Sequence, residues 1–168
     1  MKKILFILIG TLLMIAPAAA QQATPTAEPQ ATPAASTPPW WNDRVFYELF
    51  VRSFYDSNGD GKGDLQGVIQ KLDYLNDGDP NTNTDLGVTG IWLMPIMASP
   101  SYHGYDVTDF NVVNPDYGTN DDFKQLISEA HKRGIAVIVD LPIDDTSDQH
   151  PWFKASAAGD PTYADWYI

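Results

Sequence analysis

The sequence predicts a parallel α/β fold, and three observations carry that prediction. Apolar, β-branched and aromatic runs open at Val45, Gly87 and Ile135 and read as buried strands. Two amphipathic stretches, 64–75 and 121–133, separate them at helical spacing. Each strand runs into a polar, acidic cluster: Asp56 to Asp64, His103 to Asp109, and Asp140 to Asp148. Strand–helix alternation of this kind makes parallel βαβ units. In such folds ligand chemistry gathers at the carboxyl ends of the strands.

The amino terminus comes first in order. Lys2 and Lys3 precede an apolar run, Ile4 to Ile15, and then Ala18-Ala19-Ala20. This pattern predicts a secretory signal peptide over residues 1–20, cleaved before Gln21. The run is short for a membrane span, an uncleaved anchor being the alternative, and the absence of Cys excludes a lipoprotein anchor. Residues 21–39 hold five prolines, no aromatic residue and Glu28 as the one charge, and predict an extended linker. Folded sequence is expected from Trp40-Trp41 onward. The mature protein is therefore expected outside the membrane, secreted or periplasmic.

The stretch Val45 to Asp64 reads as a strand entering a metal loop. Asp56, Asn58, Asp60 and Asp64 alternate around Gly59, Gly61 and Gly63. Carboxylates this close repel unless a cation neutralises them. Oxygen ligands at every second residue, with glycines to turn the chain, suit Ca²⁺. Asp56, Asn58, Asp60, Gly61 and the Lys62 carbonyl match positions 1, 3, 5, 6 and 7 of an EF-hand, but position 12 is Gly67 instead of Glu. A phosphate loop is excluded, because Gly63 follows Lys62 where Ser or Thr is required. The plain alternative is a solvated acidic turn.

After that loop, Leu65, Val68, Ile69, Leu72 and Leu75 line one helical face, with Asp64 as cap. Asn76 to Asp85 is a polar loop. Gly87 to Met97 is nearly all apolar, as expected of a strand covered on both faces. Phe123, Leu126, Ile127 and Ala130 mark a second helix, stopped by Gly134. Ile135 to Ile143 reads as a third buried strand.

Taken together, Val45 to Asp64, Gly90 to Pro100, the run His103-Gly104-Tyr105-Asp106-Val107-Thr108-Asp109-Phe110, and Gly134 to Asp140 resemble the opening of the catalytic barrel in the α-amylase family of glycoside hydrolases. The resemblance covers Trp40 to Ile168. It implies the first three strands and two helices of a (β/α)₈ TIM barrel, with an inserted domain beginning near 145–168. It further implies retaining hydrolysis of α-glucosidic bonds in starch-like glucans or maltooligosaccharides. By resemblance, Asp56, Asn58, Asp60, the Lys62 carbonyl and Asp64 form a calcium loop. Tyr105 is the aromatic platform under the sugar, Asp106 its hydroxyl-binding partner, and His103 a rim residue. Asp140 opens the family's Asp-x-x-x-Asn-His motif and supports the site from behind. As plainer roles, Tyr105 packs the rim, His103 hydrogen-bonds its loop, and Trp152, Phe153, Trp166 and Tyr167 belong to a core.

Two departures qualify the resemblance. The motif ends Asp144-Asp145 where the family has Asn-His. Asp144 can still ligate a cation, but an ionised Asp145 donates no hydrogen bond. Weakened substrate binding is expected. Second, the retaining mechanism needs two carboxylates about 5 Å apart. In the family they come from the fourth and fifth strands, and a barrel takes about 250 residues. The sequence as given therefore supplies no catalytic pair and is expected not to hydrolyse on its own. The alternative function is a non-catalytic, calcium-dependent carbohydrate-binding protein on the same scaffold.

Composition narrows the partners. Ten Lys and Arg against 22 Asp and Glu give a net charge of −12. That argues against nucleic acid and anionic membranes as partners. Unpaired sheet edges are expected to favour self-association.

Overall fold

The computed structural model describes residues 38–168, so the signal peptide expected over 1–20 and nearly all of the expected linker lie outside the described residues. Three parallel strands form the central sheet: β1 (Phe46–Leu49), β2 (Gly90–Leu93) and β5 (Ala136–Val139), in the order β1-β2-β5. Tyr47, Ile91 and Val137 share one row across the sheet, and Leu49, Leu93 and Val139 share another. These rows face the helices, where Leu49, Ile91 and Leu93 are fully buried. The alternate row Glu48, Trp92, Ile138 lies on the other face.

The helices are α2 (Leu65–Gln70), α3 (Leu72–Leu75) and α4 (Asn120–Lys132), with short pieces at α1 (Val51–Phe54) and α5 (Pro151–Ala157). Leu65, Val68, Leu72, Leu75, Leu126 and Ala130 supply the buried helix faces. Thr119 and Asp122 form a reciprocal capping box at the start of α4. Gly134, at φ 72°, turns the chain from α4 into β5. The predicted order strand, helix, strand, helix, strand holds for the three strands of the parallel sheet and the main helices between them. Among the described residues no helix is long and apolar enough to cross a membrane.

The structure corrects several boundaries. The first strand does not run into the 56–64 loop: Val51–Phe54 forms a helical turn between them. The helix expected over 64–75 breaks at Lys71, whose φ of −108° and ψ of 7° leave the helical region. The second strand ends at Leu93. Met94 makes one further ladder bond to the Leu49 carbonyl, and Pro95 then has no N–H to continue it. Met97 instead joins β3 (Met97–Ala98), antiparallel to β4 (Asp109–Val113), a hairpin the periodicity did not reveal. The third strand ends at Val139. Leu141 and Ile143, flanking Pro142, are 55% and 81% exposed.

Candidate functional site

The loop after β1 is organised by its own side chains. Asp56 Oδ1 accepts from the N–H groups of Asn58 and Gly59, and Oδ2 from that of Gly61. Asn58 Oδ1 accepts from Asp60 N–H, and Asp60 Oδ1 from Lys62 N–H. These Asx turns fold a segment whose Gly59 and Gly61 hold φ of 84° and 88°. The backbone N–H groups of Gly61 and Gly59 hold the Asp56 carboxyl below its ordinary range.

The loop is fastened to α1 by close backbone contact. Gly63 N–H donates to the Arg52 carbonyl at 2.7 Å, and Asp64 N–H to that of Tyr55 at 3.1 Å. A methyl group on Gly63 would lie 2.0 Å from the Val51 carbonyl oxygen, and one on Gly67 2.0 Å from that of Tyr55. Both positions require glycine for space.

Asp64 is buried, caps α2 through Gly67 N–H at 2.6 Å, and accepts from the Ser57 N–H and hydroxyl. Its capping role is the one expected. Both of its oxygens already serve protein donors. Among the described residues no three His, Cys, Asp or Glu side chains converge as a metal cage by themselves. A cation here would need Asn58 and the Lys62 carbonyl as well. That carbonyl accepts no hydrogen bond among the described residues, and the full donor set is hard oxygen, so the chemistry fits Ca²⁺.

A second group lies where the sheet ends. Asp140 N–H donates to the Leu93 carbonyl at 2.8 Å, which seats Asp140 at the carboxyl end of β5. From the loop after β3, the Tyr105 hydroxyl donates to Asp140 Oδ2 at 2.7 Å. This bond and the negative charge of Asp140 push the Tyr105 phenol up to about 12. The His103 ring stacks on Tyr105 with centroids 6.1 Å apart, and its Nδ1 accepts from Tyr105 N–H. His103 is thus a loop hydrogen-bonder and an aromatic neighbour of Tyr105.

Asp106 is held by two serines. Ser99 Oγ donates to Oδ1 at 2.5 Å, and Ser101 Oγ to Oδ2 at 2.6 Å. Burial raises the Asp106 carboxyl, but the Ser101 and Ser99 hydroxyls and nearby His103 outweigh it, and the net shift is downward. Neither serine was among the expected site residues; their spacing of two residues after a strand was the available signal. Tyr105, Asp106, His103 and Asp140 therefore come together, while Asp56, Asn58, Asp60, Lys62 and Asp64 form a separate site. Asp144 and Asp145 are exposed.

The four aromatic residues near the end of the sequence pair among themselves. Trp152 meets Trp166 edge-on at 5.2 Å, and Phe153 meets Tyr167 at 5.2 Å. His150, buried beneath, caps α5 by accepting from Trp152 N–H. Burial lowers its pKa, against the pull of Asp109.

Known proteins resemble this chain in sequence and in fold. The family model for the α-amylase catalytic domain matches residues 48–168. "Alpha-amylase 3" of Dictyoglomus thermophilum is 50% identical over 131 residues, covering 77% of this chain and 25% of that protein. An oligo-1,6-glucosidase of Bacillus sp. strain F5 is 49% identical over 131 residues, covering 77% of this chain and 24% of its own. The solved structure of an α-amylase from H. orenii superposes with a TM-score of 0.72 at 66% identity, covering 74% of this chain and 26% of that one. The chain thus spans about a quarter of the length of the relatives it matches. Its parallel strands and intervening helices are those of an incomplete TIM barrel.

Proposed function

The chain belongs to the α-amylase family of glycoside hydrolases, and we propose that it contributes the substrate-holding rim to hydrolysis of α-glucosidic bonds in starch-like glucans or maltooligosaccharides. The observation that carries this reading is the Tyr105–Asp140 hydrogen bond. It fixes an aromatic ring at the sheet's carboxyl end beside a carboxylate, Asp106, whose two oxygens are pre-aimed by serine hydroxyls. A sugar ring offers apolar C–H faces to such an aromatic and hydroxyl donors to such a carboxylate. Asp140 orients the platform, and His103 supports it on the loop side.

In this reading the chain holds sugar but does not cleave it alone, because the nucleophile and the acid/base belong to strands other than these three. Asp145, unable to donate, weakens the grip. Calcium in the 56–64 loop would neutralise the carboxylates and stiffen the segment between β1 and α2. The protein is proposed to be exported by its amino-terminal signal, and its open sheet edges to favour self-association.

The test is calorimetric titration of the chain with maltoheptaose, with product chromatography alongside. Saturable binding without product is expected. Absence of binding would contradict the rim, and release of shorter sugars would contradict the assignment of catalysis to other strands. Asp60→Ala should abolish the calcium-dependent rise in melting temperature; equal melting of the unaltered chain with calcium and with chelator would exclude the metal. A sedimentation-velocity boundary that stays monomeric across concentrations would exclude self-association.

A further inference from the structure

Three side chains tie the 56–64 loop to α1 and to the turn before α4. Lys62 Nζ meets Asp116 Oδ1 at 2.7 Å, and Arg52 Nη1 meets Asp116 Oδ2 at 2.8 Å. Asp116 lies in the turn that leads into α4, and Arg52 belongs to α1, so one carboxylate gathers a helix, the loop and the turn. The same junction is continued by Leu65 N–H, which donates to the Tyr117 carbonyl at 2.9 Å, and by the Gln66 amide, which donates to Asp122 and Gln125 on α4. Beneath it Tyr117 is 1% exposed, so the turn is anchored in the core.

Lys62 has a double position. Its side chain points to Asp116, while its N–H is held by Asp60 Oδ1 and its carbonyl accepts no hydrogen bond among the described residues. The peptide that carries this carbonyl is held at its nitrogen, where Gly63 N–H donates to the Arg52 carbonyl, and the Lys62–Asp116 pair adds a second hold at the Lys62 side chain. An unpaired ammonium beside a cation site repels the cation; one paired with a carboxylate is largely neutralised.

We propose that Lys62 is a positioning residue for the metal loop: its ion pair with Asp116, shared with Arg52, holds the Lys62 carbonyl in ligating orientation and removes the charge penalty of a lysine at that position. This rests on the reading of residues 56–64 as a calcium loop. It goes beyond that reading by assigning the loop's affinity in part to residues that touch no cation. Severing the pair loosens the carbonyl, so affinity falls even where a positive charge is deleted. A purely electrostatic lysine predicts the opposite sign, because deleting its charge would tighten calcium binding.

The experiment is isothermal titration of Ca²⁺ into the full chain and into Lys62→Met, Lys62→Arg and Asp116→Asn, with melting temperature in chelator as a folding check. Lys62→Met is expected to weaken calcium roughly fivefold, Asp116→Asn by at least as much, and Lys62→Arg to stay within about twofold. Equal or tighter binding by Lys62→Met, with the unaltered chain binding normally, would overturn the clasp and leave the calcium loop standing. An unaltered chain that binds no calcium would overturn both. Should Lys62→Met melt too low to titrate, the Asp116→Asn and Lys62→Arg pair decides by the same criterion.

Discussion

The loop that follows β1 and the edge beyond β5 are built on opposite terms. Around residues 56–67 the backbone is in contact with itself: two glycines leave no room for a methyl group, and Asx turns satisfy the loop from within. Beyond β5, apolar side chains are open. Val139 is half-buried, and with Leu141, Val112, Phe110, Phe123 and Met97 it lines a groove of about 390 Å³. β2, with a parallel strand on each side, buries Ile91 and Leu93 completely; all four residues of β5, with one such neighbour, are half-buried. A site made from consecutive residues is finished by the chain that carries it. A site assembled at strand ends takes its walls from separate strands and the loops that leave them.

Mutations can break or sharpen this contrast. The largest effect is expected in the shared core of α2 and α4. Leu126→Ala should cost about 3 kcal/mol in denaturant unfolding, whereas Leu141→Ala, at an exposed site, should cost under about 0.5 kcal/mol. Comparable losses would remove the contrast. Next come the glycines. Gly67→Ala should cost about 2–3 kcal/mol, because the Tyr55 carbonyl must move. Gly134→Ala, with a positive φ but open space around it, should cost only about 1 kcal/mol.

Smaller effects follow from titration. The Lys62 and Arg52 cations hold Asp116 below its ordinary value of 3.8, so its pairing adds stability above that pH and loses it as pH falls further. The melting temperature of Asp116→Asn should therefore differ from that of the unaltered chain at pH 6 and approach it towards pH 2. A gap that persists unchanged at low pH would contradict the ion pair. Tyr105 is raised to about 12 from 10.0, so an absorbance titration should show a tyrosine step at strongly alkaline pH. Tyr105→Phe should remove that late step, and an unchanged curve would remove the Asp140 bond.

The sequence reached the local features and missed those that depend on assembly. The Asp64 cap, the Gly134 stop and the face of α4 were legible, because each is set by residues within one or two turns. The two longer strands were overread because apolar composition continues past their last ladder bonds, made by Met94 N–H and Asp140 N–H, up to and beyond Pro95 and Pro142. The β3–β4 hairpin escaped because its partner strand is only two residues long, Met97–Ala98, and the alternation Asp109-Phe110-Asn111-Val112 stops at Val113. The gathering of Tyr105 with Asp140 spans 35 positions, and only the family resemblance suggested it. The two-residue spacing of Ser99 and Ser101 named no partner, and Asp116 carried no periodic signal at all. Their roles follow from which loops meet, which spacing along the chain does not encode.

The most direct measurement compares maltoheptaose binding by the unaltered chain and by Tyr105→Ala, using calorimetry in calcium-containing buffer. The account predicts saturable binding by the first and at least a tenfold loss in the second, about 1.4 kcal/mol. Equal affinities, or no binding by either, would contradict the claim that this chain contributes a sugar-holding rim.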